Sequence, residues 1–159
     1  MRENYDREEQ ELALRPIQLH RLFLGNPGTG KTTVAGLYAR ILVDLGLLRK
    51  GEVLLKTPAD FVGSALGQSE ERTKAILAAA EGCCLVIDEA YGLALKPGSA
   101  DPYREAVVTT LVAGLPGEGG NTAVLLLGYE DDMRLLMDAN AGLARRFAWE
   151  NSFHFRDYS

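Results

Sequence analysis

Eight consecutive residues carry the most explicit chemistry in this chain: Gly25-Asn26-Pro27-Gly28-Thr29-Gly30-Lys31-Thr32. They spell G-x-x-x-x-G-K-T, a spacing suited to holding a polyphosphate. The glycines let backbone amides turn inward onto phosphate oxygens, and a helix beginning at Lys31 aims its positive end at the same point. Lys31 is then a point charge for the terminal phosphates and the Thr32 hydroxyl a ligand for Mg2+, with Thr33 beside it as a further nucleotide contact.

A second constellation lies further on, where the apolar run Leu85-Val86-Ile87 ends in Asp88-Glu89. In a parallel sheet, ligands gather at the carboxyl ends of the strands, where a phosphate loop also sits. Asp88 is placed to hold Mg2+ through a water, opposite Thr32. Glu89 follows directly and can act as general base on the water that attacks the γ-phosphate. An acidic pair after a strand says little alone. With an intact phosphate loop upstream it points to hydrolysis rather than transfer to an acceptor.

The elements needed to position these groups are legible around them. Leu19 to Leu24 reads as the strand before the loop, with Pro16 marking a break from a short polar helix over residues 3–14. Val34, Leu37, Tyr38, Ile41, Leu42 and Leu45 recur at helical spacing after it, and Gly46 closes that helix. Glu52 to Thr57 predicts a second strand, with a short helical turn opening at Pro58. Ser69 looks like the cap of a helix running to about Ala80. Cys83 to Ile87 and Ala123 to Leu127 are continuous apolar runs, the pattern of strands covered on both faces. Helices are expected over Arg104–Leu115 and Asp131–Asp138, loops over Leu95–Pro102 and Pro116–Gly120, and a last strand at Phe153-His154-Phe155. Strands alternating with helices predict an α/β fold with a parallel sheet covered on both faces.

At 159 residues the chain is long enough for one domain with a substantial core. Its net charge of −5 argues against a broad basic surface for nucleic acid. No apolar run approaches the roughly 20 residues of a membrane span, and the acidic start lacks a signal-peptide core. Cys83 and Cys84, the only cysteines, suit a reducing compartment such as the cytoplasm and make neither a disulfide framework nor a metal cluster. His20 and His154 have no ligand spacing.

Together, Gly25 to Thr32, Ile87-Asp88-Glu89-Ala90-Tyr91 and Gly128-Tyr129 resemble an AAA+ ATPase, in the branch of stage V sporulation protein K and red-type Rubisco activase. Asp60 to Gly67 followed by Ser69-Glu70 looks most like the modules of fungal tandem multi-AAA proteins. The resemblance spans roughly residues 17 to 158, leaving residues 1–16 as an N-terminal extension and 17–159 as the nucleotide-binding core. It implies five parallel strands, ATP with Mg2+, and assembly with itself or neighbouring AAA+ modules in a ring, usually hexameric, that acts on a client protein. It also implies an arginine supplied by a neighbouring subunit. Arg146, before Phe147 in Gly142-Leu143-Ala144-Arg145-Arg146-Phe147, is the better match, with Arg145 as the alternative.

Three departures from the family pattern bear on function. Tyr129 stands where the wider group has a sensor asparagine; its phenol can hydrogen-bond a phosphate or the attacking water, or simply pack. Ala65-Leu66 replaces the aromatic that polypeptide-threading members carry. The sequence stops at Ser159, where the family's small helical lid would begin, so this segment alone is expected to bind ATP weakly and turn it over slowly. The leading expectation is an ATP-hydrolysing remodelling module. The alternatives are a scaffold that binds ATP without turning it over and, more remotely, a phosphotransferase.

Overall fold

The computed structural model describes residues 18–25, 30–65, 67–94, 100–116 and 120–155. The helix expected over residues 3–14, the break at Pro16 and the loop residues Asn26, Pro27, Gly28 and Thr29 lie outside the described residues.

Five strands form one sheet in the order β2-β3-β4-β1-β5. They are β1 (Arg21–Leu24), β2 (Val53–Lys56), β3 (Cys84–Ile87), β4 (Ala123–Gly128) and β5 (Phe153–His154). Every pairing is parallel. The helices between them are α1 (Lys31–Asp44), α2 (Pro58–Phe61), α3 (Gln68–Ala79), α4 (Pro102–Gly114), α5 (Glu130–Ala139) and α6 (Ala141–Arg146), with 3-10 turns at Ala90–Leu93 and Trp149–Asn151.

The continuous apolar runs have a direct explanation in the strand period of two. Leu22, Leu24, Leu85, Ile87, Val124 and Leu126 face one core, against Leu93, Leu111, Met133 and Phe147. Their neighbours Phe23, Val86, Leu125 and Leu127 face the other, against Ala35, Ala39 and Leu42 of α1. Both faces of β1, β3 and β4 are therefore dry. β2 is an edge strand and departs from that pattern, with Val53 and Leu55 exposed.

On α1 the side toward the sheet is Ala35, Ala39 and Leu42, while Leu37 and Ile41, and Leu45 just after the helix, are 54%, 55% and 66% exposed. The two alanines let the helix backbone come close to the sheet. One local expectation is corrected. Ser69 does not cap α3. Gly67 is the N-cap residue, and Ser69 is buried, its hydroxyl accepting the Gly63 N–H at 2.9 Å.

His20 holds the opposite end of β1 from the phosphate loop. Its Nδ1 accepts the Val124 N–H at 3.0 Å, leaving Nε2 to donate to the Pro116 carbonyl at 3.0 Å, and its ring packs on Phe147. Burial pushes its pKa down to about 4, so the neutral ring is built into the sheet. It has a structural duty and no sign of a chemical one.

Candidate nucleotide site

The carboxyl ends of β1, β3 and β4 are brought level by the sheet register, which sets Leu24 beside Gly128 and Ile87 beside Leu126. The residues that follow these strands consequently meet at one edge. Gly25 donates its N–H to the Gly128 carbonyl at 3.0 Å, tying the start of the phosphate loop to β4. A side chain at Gly25 would lie 2.7 Å from the Phe155 carbonyl oxygen, so glycine is required there by close approach of the chain after β5. Gly30 is required for another reason: it caps α1 at φ +85°, in the left-handed region.

Lys31 opens α1 with its ammonium folded back toward the loop. It donates to the Gly25 carbonyl at 2.6 Å and stands 5.9 Å from the centre of the Tyr129 ring. Desolvation lowers its pKa, an effect that the nearby Asp88 carboxylate opposes. Thr32 and Thr33 follow on the exposed first turn and line the same cleft.

Asp88 and Glu89 face them from the end of β3. The Asp88 N–H donates to the Lys56 carbonyl at 2.8 Å, which fixes the end of β3 to β2. One Asp88 carboxylate oxygen accepts the Glu89 N–H at 2.9 Å. Glu89 itself has φ +52°, the only non-glycine residue with positive φ among the described residues. This conformation costs roughly 1–2 kcal/mol for a residue with a side chain, and such strain concentrates at functional sites. It turns the chain abruptly out of the sheet and leaves the Glu89 side chain exposed at the cleft.

These walls enclose a cleft of about 770 Å³, in the size range of small-molecule sites. Lys31, Thr32, Asp88, Glu89 and Tyr129 all line it. Tyr129 is 46% exposed, so it is not a packed core residue. The donor set suits a magnesium–nucleotide complex: one hydroxyl and one carboxylate face each other, and Mg2+ commonly takes one or two carboxylates with phosphates and water completing the shell. Among the described residues no group of three His, Cys, Asp or Glu side chains is placed to hold a metal ion by itself.

Among the further residues that line the cleft, and that the sequence did not assign to the site, are Thr57 after β2, Arg104 on α4 and Asp132 on α5. Each comes from a different element, so no local motif announces them. Asp101-Pro102 is a helix-start pattern, and the Asp101 side chain caps the Arg104 N–H, but that pattern marks the helix and not the cleft. Arg145 and Arg146 are elsewhere. Arg145 is exposed, Arg146 is half-buried and donates to the Gly142 carbonyl at 3.2 Å, and neither lines the cleft.

The family profile for AAA, the ATPase family associated with various cellular activities, matches residues 21–153. The chain belongs to the AAA family. This AAA domain is 38% identical over 156 residues to stage V sporulation protein K of Bacillus subtilis, covering 98% of the chain and 47% of that relative. It is 38% identical over 156 residues to the chloroplastic ribulose bisphosphate carboxylase/oxygenase activase of Cyanidioschyzon merolae, covering 97% of the chain and 52% of the relative. It is 36% identical over 153 residues to the ESX-3 secretion system protein EccA3 of Mycolicibacterium smegmatis, covering 96% of the chain and 25% of the relative. The AAA domain thus spans about half or less of the length of these relatives. The five-stranded parallel sheet agrees with the α/β P-loop NTPase fold of the family. No helix among the described residues is long and apolar enough to cross a membrane.

Proposed function

We propose that this AAA domain binds ATP with Mg2+ and hydrolyses it, as one module of a larger ring-forming or tandem ATPase that remodels a client protein. The observation that carries the reading is the convergence of Lys31, Thr32, Asp88 and Glu89 on one cleft, with Glu89 held in a left-handed turn.

Lys31 neutralises charge on the terminal phosphates, and Gly25 to Thr33 contribute the backbone and hydroxyl contacts around them. Thr32 and Asp88 would hold Mg2+, which would supply neutralisation of phosphate charge. Glu89 accepts a proton from the attacking water. The exposed Tyr129 phenol is in reach of the cleft and is assigned a hydrogen bond to phosphate or water. Arg146, or Arg145 in its place, is assigned to the cleft of a neighbouring module.

The free, buried Cys83 and Cys84 support a reducing intracellular compartment. Steady release of inorganic phosphate from the assembled full-length protein with ATP and Mg2+ is the expected result, with slower release from the 159-residue chain alone. ATP bound tightly but retained unhydrolysed in the assembly would overturn hydrolysis and establish the scaffold reading instead.

A further inference from the structure

The strained Glu89 turn has more supports than its own hydrogen bonds supply. Glu89 opens the 3-10 turn Ala90–Leu93, and its carbonyl accepts the Gly92 N–H at 2.9 Å. The turn is pressed from one side by α2, since a side chain on Gly92 would lie 2.8 Å from the Pro58 ring. From the other side comes Arg104. Its Nε donates to the Gly92 carbonyl at 2.9 Å, its guanidinium pairs with the Asp101 carboxylate, and its own backbone N–H donates to Asp101 at 3.1 Å. The arginine is therefore hydrogen-bonded through both its backbone and its guanidinium while bordering the cleft.

We propose that Arg104 is a positioning residue for hydrolysis: it clamps the turn carrying Glu89 to the N-terminus of α4 and so holds the carboxylate in its left-handed, cleft-facing geometry. The inference rests on the reading of Glu89 as the general base. The physical reason is that an L-residue at φ +52° relaxes toward negative φ unless its surroundings over-determine it. Relaxation swings the carboxylate away from the water while leaving Lys31, Thr32 and Asp88, and hence nucleotide binding, in place. A planar guanidinium suits the task because it bonds a carbonyl and a carboxylate at once in a fixed fork.

The test is steady-state phosphate release and Mg-ATP affinity in the assembled protein. Arg104→Ala is expected to lower kcat by about tenfold to a hundredfold, the scale of a misplacement near 1 Å, with KM within about twofold. Arg104→Lys, which can still reach one acceptor, recovers part of that loss. Asp101→Asn keeps the helix cap but removes the charge holding the guanidinium, and lowers kcat in the same direction by less. In a Glu89→Gln background, Arg104→Ala adds no further loss, because the carboxylate it positions is already gone. A thermal unfolding curve on each variant separates loss of fold from loss of rate. Unchanged kcat in folded Arg104→Ala overturns the proposal, as does an equal loss in both backgrounds or a raised KM with kcat intact. Undiminished turnover in Glu89→Gln alone would instead overturn the base assignment beneath it.

Discussion

At the end of β1 the chain enters α1 through Gly30, which takes φ +85° with no side chain to strain and nothing within 4 Å of where one would point. At the end of β3 a comparable reversal is made by Glu89 at φ +52°, which carries a full side chain. The two sit across one cleft and solve the same backbone problem differently. On the proposed reading, the wall that binds phosphate needs amide groups and one cation, so glycine can serve at its turn. The wall proposed for hydrolysis needs a carboxylate at the turn itself, and there the strained residue is surrounded by supports from Asp88, Pro58 and Arg104.

That contrast can be broken at either wall. The largest effect is expected for Glu89→Gln in the assembled protein: turnover falls by about 10²–10⁴, while nucleotide affinity, measured by titration calorimetry, stays within a few-fold. Equal loss of both would mean that the walls are not functionally separate. Lys31→Ala should do the reverse, weakening ATP binding by roughly a hundredfold, the value of a charge-assisted contact of about 2–3 kcal/mol. Retained affinity in that variant would remove Lys31 from the phosphate site.

Stability gives a finer comparison. Gly30→Ala forces a methyl-bearing residue to positive φ and should cost about 1 kcal/mol in denaturant unfolding, since the open space around it leaves only the backbone term. Glu89→Asn should move the other way, because asparagine tolerates the left-handed region better. A gain of up to about 1 kcal/mol, or roughly 2–4 °C in Tm, is expected alongside lost turnover. A Tm that falls in Glu89→Asn would show that the Glu89 side chain stabilises the fold rather than straining it.

Much of the fold was legible because its signals are local. The apolar runs of β3 and β4, the helical spacings and the glycine after α1 each depend on near neighbours in sequence. What was not legible depends on packing between elements or on competition for a side chain. Periodicity marks α1 as a helix, but packing decides that the sheet accepts its Ala35, Ala39 and Leu42 side. Ser69 has the chemistry of a cap but is drawn into a bond with Gly63. His20 had no sequence signature at all, because its partners are 96 and 104 residues away.

The sequence by itself determined the parts of the site that lie within one turn of a motif. Lys31 and Thr32 follow their glycines, and Asp88 and Glu89 end their strand, because strand, tight turn and helix start impose short fixed spacings. Only the tertiary structure decided that the two motifs face each other, since that depends on the parallel register of β1, β4 and β3. It alone decided that Glu89 occupies a left-handed turn and that Arg104 braces it. The left-handed geometry is unfavourable in an isolated chain and persists only when contacts from separate elements outweigh its cost.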